Sequence, residues 1–225
     1  MTTRRISAIS PVGRFVTLAG GLAVTAVASL LPRLEQPATS LHSLLHPLAP
    51  ISHHTSHTLV LLAFGLALAL PRRRRSGLRI GQIRANWLRV LLVCAVPVVV
   101  TAIVYPRLPV QPFNGGRLEM WLVSPLAQDL VFQGFLLGRL ERSFPPRSRL
   151  GFGAALVVGA LFFSAWHLPN LASGMPRGFV AFQLAYTAAG FMLTGLSRLW
   201  TGSILYATLS HSAVNFIAAM ARVPA

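Results

Sequence analysis

The chain has 225 residues, 54% of them hydrophobic and 11% charged, with a mean hydropathy of +0.63. Several apolar runs approach the twenty or so residues a helix needs to cross about 30 Å of hydrocarbon, which excludes an ordinary soluble domain. The formal net charge of +16 would suit nucleic acid, but the basic residues sit in short segments between apolar runs, as in the cytoplasmic loops of membrane proteins. Such segments face anionic lipid headgroups, so the implied partner is the bilayer and not nucleic acid.

All twenty basic residues are arginine, which reads as genomic codon bias and not as chemistry. Cys94 is the only cysteine, so an intramolecular disulfide and a thiolate metal cluster are both excluded. It lies in an apolar run and is expected to pack as a small core residue.

In chain order, Arg4, Arg5 and Arg14 precede the apolar run Phe15–Leu31, read as an uncleaved first helix with its N-terminus in the cytoplasm. Residues 32–57 are rich in Pro, Ser and His and are expected outside. A second span covers Thr58–Leu70, extended upstream through Thr55. The basic block Arg72–Arg75, followed by Arg79, Arg84 and Arg89, marks a cytoplasmic loop. A third span, Asn86–Tyr105, leads to a loop carrying Pro106, Pro109, Pro112 and Gly115-Gly116. Glu119–Leu140 is the fourth span and ends on Arg139, Arg142, Arg147 and Arg149. Leu150–Trp166, Gly178–Leu199 and Gly202–Met220 complete an all-α, polytopic transmembrane bundle of about seven spans. Residues 1–110 group as N-terminal helices with an outer His-rich loop and an inner Arg-rich loop. Residues 117–220 group as a second unit that holds the candidate chemistry.

That chemistry starts at Asp129. Of the four acids, Glu35, Glu119 and Glu141 fall at helix ends or loops, and only Asp129 is expected at membrane depth. A carboxylate there costs about 2.5–3.5 kcal/mol on insertion scales and by default marks a functional site. Three segments carry a pair at i, i+4, on one helix face: Asp129 with Gln133, Phe163 with His167, and His211 with Asn215. Polar residues often only glue membrane helices together, but a carboxylate and two imidazoles are costly choices for glue. They suit water activation, with a general base and N–H donors for the oxyanion. The set Asp129, His167 and His211 would equally suit a divalent metal such as zinc, although no cofactor is required. His42, His46, His53, His54 and His57 read as a solvated or interfacial loop. Trp87, Trp121, Trp166 and Trp200 fall near span ends, where an aromatic belt is expected.

The three segments together resemble the motifs of the CPBP (CAAX-protease and bacteriocin-processing) intramembrane endopeptidases, over about residues 117–220. The family's second motif, F-x-x-x-H, is met by Phe163 and His167, and its third, H-x-x-x-N/D, by His211 and Asn215. The first motif, E-E-x-x-x-R with flanking Phe and Gly, keeps Phe132 and Gly134 but has Gln128-Asp129 for the glutamates and Gln133 for the arginine. The resemblance implies that the first glutamate position is the base, yet Gln128 cannot accept a proton there. Asp129 points about 100° away around an α-helix. It also implies that His167 positions water and that His211 and Asn215 form the oxyanion hole, with Gln128 lining the site.

The function expected is hydrolysis of a peptide bond in a membrane-associated protein or lipidated peptide by a metalloprotease-like enzyme of the cell membrane, of bacterial type. A catalytically inactive relative acting as a membrane scaffold or immunity-type protein is the alternative, favoured by Gln128 and Gln133. A transporter using Asp129 as a proton relay is a third class, against which stands the absence of an internal repeat.

Overall fold

The computed structural model describes residues 10–30, 53–79, 86–108, 119–144 and 153–220, without the side chains of residues 53, 54, 119 and 120. His42 and His46 therefore lie outside the described residues. Seven helices and no strand are present among those described. They are α1 (Pro11–Leu30), α2 (His53–Ala69), α3 (Trp87–Val104), the composite α4, α5 (Ala154–Ala165), α6 (Arg177–Thr201) and α7 (Leu205–Met220). Five stretches are long and apolar enough to cross a membrane: Pro11–Leu30, Thr55–Arg72, Trp87–Arg107, Ala154–Leu171 and Arg177–Thr201. The protein is a multi-pass helical membrane bundle. At 16 residues α7 reaches about 24 Å, short of a full hydrocarbon layer.

Helix α4 differs from the uniform span expected of Glu119–Leu140. It runs through four consecutive pieces: a π-helix Glu119–Val123, an α-helix Ser124–Asp129, a second π-helix Leu130–Leu136 and an α-helix Leu137–Ser143. It is the hub of the bundle. α2, α5 and α7 pack along it and α1 crosses its last turns. Leu130, Val131, Phe132, Gln133, Leu136 and Leu137 are nearly inaccessible as a result. Around Phe132, Leu136, Leu137 and Leu140 gather Ala28 of α1, Leu61 of α2, Leu156 and Phe163 of α5 and Phe191 of α6.

Small residues set how closely these helices approach. A Cβ on Gly195 of α6 would meet Leu156 Cδ1 at 2.5 Å, and one on Gly159 of α5 would meet Phe191 Cε1 at 2.9 Å, so α5 and α6 touch where each offers a glycine. On α4, Gly134 and Gly138 seat the turn that follows α2. A Cβ at Gly138 would lie 2.8 Å from the Arg75 carbonyl oxygen, and one at Gly134 3.2 Å from that of Ser76. The turn continues through Gly77, at φ +71°, to a hydrogen bond from Ile204 N to Gly77 O of 3.1 Å.

Alternation of the helices collects most arginines at one end of the bundle. There Thr17 Oγ1 meets Ser143 Oγ at 2.7 Å, Arg14 lies over the Phe144 ring, and Arg79 Nε donates to Gly202 O at 3.1 Å. Arg198, in the last turn of α6, is only 3% exposed. It donates to Glu141 Oε2 at 2.7 Å and to Arg75 O at 3.0 Å. At the opposite end, Trp166 Nε1 donates to Ala28 O at 3.0 Å, and its ring stacks beside Phe163. Trp166 is thus an internal tie and not a belt residue. Trp87, 56% exposed, has the lipid-facing position expected. Cys94 packs between helices, its Sγ 3.5 Å from Tyr206 O, while Ser210 Oγ donates to Cys94 O at 2.7 Å, joining α3 to α7.

Candidate active site

Asp129 ends the short α-helical piece of α4 and stands directly before the second π-helix. π segments within helices recur at functional sites because the extra residue per turn re-aims side chains. Asp129 is 2% exposed. Its Oδ1 lies 3.4 Å from Nδ1 of His211 on α7, with side-chain exposures of 3% and 19% respectively. Oδ2 is buried with no hydrogen-bond partner among the described residues. A buried carboxylate left with an open acceptor needs a proton, a water or a substrate N–H.

The two glutamines of the same helix turn elsewhere. Gln128 Nε2 donates to Ser124 Oγ at 2.9 Å, one turn back on its own helix. Gln133 Nε2 donates to Thr194 Oγ1 of α6 at 2.6 Å, and its Oε1 is buried without a partner among the described residues. The expected pairing of Asp129 with Gln133 on one face thus resolves into two directions, toward α7 and toward α6.

His167 follows the last turn of α5, before Pro169, and is 8% exposed. Its Nδ1 is 3.1 Å from Phe163 O. A carbonyl only accepts, so Nδ1 carries the proton of this hydrogen bond and Nε2 of the neutral ring is an acceptor. Phe163 joins the two imidazoles: its ring meets His167 edge-on at 5.3 Å and His211 edge-on at 5.9 Å between centroids. Phe132, Trp166 and Phe191 close around it, with centroids 5.3, 6.5 and 5.4 Å away. Asn215 lies one turn beyond His211 on α7, half-buried.

Phe163 therefore packs against both histidines, and Phe132, read from the sequence only as a motif flank, packs behind it. Ser124 and Thr194, partners of the two glutamines, carried no signal in the sequence, because an isolated hydroxyl in an apolar helix is commonplace. Among the described residues no three His, Cys, Asp or Glu side chains gather closely enough to hold a metal ion. Of the conceivable ligands Asp129, His167 and His211, the first and last stand 3.4 Å apart, atom to atom.

Residues 115–217, which contain all of these groups, match the Rce1-like family, described as type II CAAX prenyl endopeptidase Rce1-like. No curated protein and no solved structure matches the chain.

Proposed function

Because residues 115–217 belong to the Rce1-like group of CPBP membrane endopeptidases, we propose that this protein hydrolyses a peptide bond in a membrane-anchored or lipidated protein, with Asp129 as the base. The observation that carries this reading is the contact of buried Asp129 with His211 across α4 and α7, while Gln128 turns back to Ser124. In this mechanism Oδ2 of Asp129 takes a proton from water as the water oxygen attacks the scissile carbonyl carbon. His167 holds that water through Nε2. His211 donates from Nδ1 to Asp129, and with a proton also on Nε2 it joins the Asn215 amide in stabilising the oxyanion. Collapse of the tetrahedral intermediate breaks the C–N bond, and the proton held by Asp129 passes to the leaving amine. Gln128 lines the site. Residues 117–220 form the catalytic unit, the helices before residue 110 support it, and the arginine-rich end with the N-terminus faces the cytoplasm.

A second reading is favoured by the glutamines: both bond neutral hydroxyls, as structural glue would, so the site would bind a membrane protein without cutting it. The deciding experiment compares the termini of membrane proteins, by mass spectrometry, in a strain lacking this protein and complemented with the natural chain, Asp129→Asn or Gln128→Glu. New termini with the natural chain that vanish with Asp129→Asn are expected. Termini restored only by Gln128→Glu would make the natural protein a retired enzyme. No change with any form would favour the binding role.

A further inference from the structure

The arginines of the turn after α2 and those at the end of α4 come from separate parts of the chain, yet they share one patch. Arg72 and Arg139 both lie over the ring of Phe135, with guanidinium carbons 5.8 and 5.7 Å from its centroid. Arg142 is exposed on the next turn of α4. Burial, and then the charges of Arg75, Arg139 and Arg72, pull its pKa below the ordinary arginine value, while Glu141 opposes them. Four guanidinium groups thus repel one another at a single place.

The patch is built and not incidental. Gly134 and Gly138 allow the turn to lie directly on α4, where a Cβ would strike the Ser76 and Arg75 carbonyl oxygens. Hydrogen bonds from Arg75 N and Ser76 N to Arg72 O, of 2.7 and 2.9 Å, fix the turn's shape. Glu141, the acid beside the patch, is engaged by the buried Arg198 at 2.7 Å, and the other four make no salt bridge among the described residues. Arg72 is also the last residue of the apolar stretch Thr55–Arg72, which sets the patch at headgroup level.

We propose that Arg72, Arg75, Arg139 and Arg142 form a binding site for the phosphate of an anionic phospholipid headgroup. Guanidinium groups meet phosphate oxygens in paired, charge-assisted hydrogen bonds, and a phosphodiester carries the charge needed to relieve the cluster. Leu70, just past the end of α2 and 55% exposed, offers acyl chains an apolar surface beside the patch, so the ligand is a membrane lipid and not a soluble phosphate.

The test is a thermal melt of the full chain in uncharged detergent with added phosphatidylglycerol, phosphatidylcholine, glycerol 3-phosphate or inorganic phosphate. Phosphatidylglycerol alone is expected to raise Tm, and added salt to weaken the effect. Arg139→Gln/Arg142→Gln should need at least tenfold more phosphatidylglycerol for half the effect while melting like the natural protein in phosphatidylcholine. Arg177→Gln, at the other end of the bundle, should respond as the natural protein does. If the double variant does not fold, the exposed Arg142→Gln alone should need at least threefold more. Equal responses to the two lipids, or an undiminished response in the folded variant, would overturn the proposal. An equal response to inorganic phosphate would replace the lipid with a free anion and overturn it as well.

Discussion

Gly138→Ala tests the seat on which both the arginine patch and the position of α4 depend. The new methyl carbon would lie 2.8 Å from the Arg75 carbonyl oxygen and 3.0 Å from Arg198 Nη2, inside the separation real Cβ atoms keep. Overpacking of this kind costs about 1–3 kcal/mol. The group it displaces is backbone, which cannot swing aside as a side chain would. Moving the Arg75 carbonyl also weakens its 3.0 Å bond from Arg198, and a hydrogen bond to a charged group contributes about 1.5–3 kcal/mol. Because one displacement causes both losses, they overlap, and a destabilisation of about 2–4 kcal/mol is expected.

The comparison that isolates this effect is Gly190→Ala in α6, where an added Cβ meets nothing within 4 Å. That substitution should gain at most about 0.5–1 kcal/mol of helix preference. The gain is smaller still if the unfolded state in detergent keeps its helices. Unfolding of both variants in mixed micelles, followed by tryptophan fluorescence and far-UV circular dichroism, measures the difference. A Gly138→Ala protein as stable as Gly190→Ala would refute the contact between the turn and α4.

Other substitutions follow from the site. Asp129→Asn keeps an acceptor for His211 but loses the base, so termini produced by the protein should form about 10²–10⁴-fold more slowly, the usual span for general-base removal, with Tm nearly unchanged. Thr194→Val leaves the Gln133 amide buried and unpaired and should cost about 1–3 kcal/mol in a micelle unfolding titration, which an added Gln133→Leu should partly recover. Glu141→Gln removes the charge facing Arg198. Because Glu141 is 29% exposed and the Arg75 carbonyl remains, a loss of about 1–3 kcal/mol is expected, below the fully buried case, and Arg198→Met in the same background should restore part of it.

The helices were legible because apolar length alone separates spans from loops, and the arginine-rich segments named the end at which α1 begins and α2, α4 and α6 finish. What the one-dimensional pattern did not carry was partner choice. The i, i+4 rule puts Asp129 and Gln133 on one face, yet Asp129 meets His211 of α7 while Gln133 reaches Thr194 of α6. From the sequence Arg198 is only a cation at the end of a span, because only the fold brings Glu141 and the Arg75 carbonyl to it, from 57 and 123 residues away. Trp166 looked like a belt residue for the same reason, its indole N–H being claimed by Ala28 at a separation of 138.

The contacts between α4 and α6 suggest why the chain can dispense with a carboxylate–arginine pair at depth. Two polar rungs join these helices. The deeper one, Gln133 with Thr194, is neutral, and the one at the helix ends, Glu141 with Arg198, is charged. Charge costs most at the middle of a bilayer and least at its margin, so this order puts the ionic rung where water can still reach Glu141. With Gln128 and Gln133 both amides, Asp129 is left as the single acid at that depth among the described residues, and the imidazole it faces is His211. A helix-packing role alone would be met more cheaply by a third amide at position 129. A carboxylate whose buried oxygen has no partner among the described residues, set beside a histidine, is therefore a feature that helix packing does not explain and the proposed reaction would.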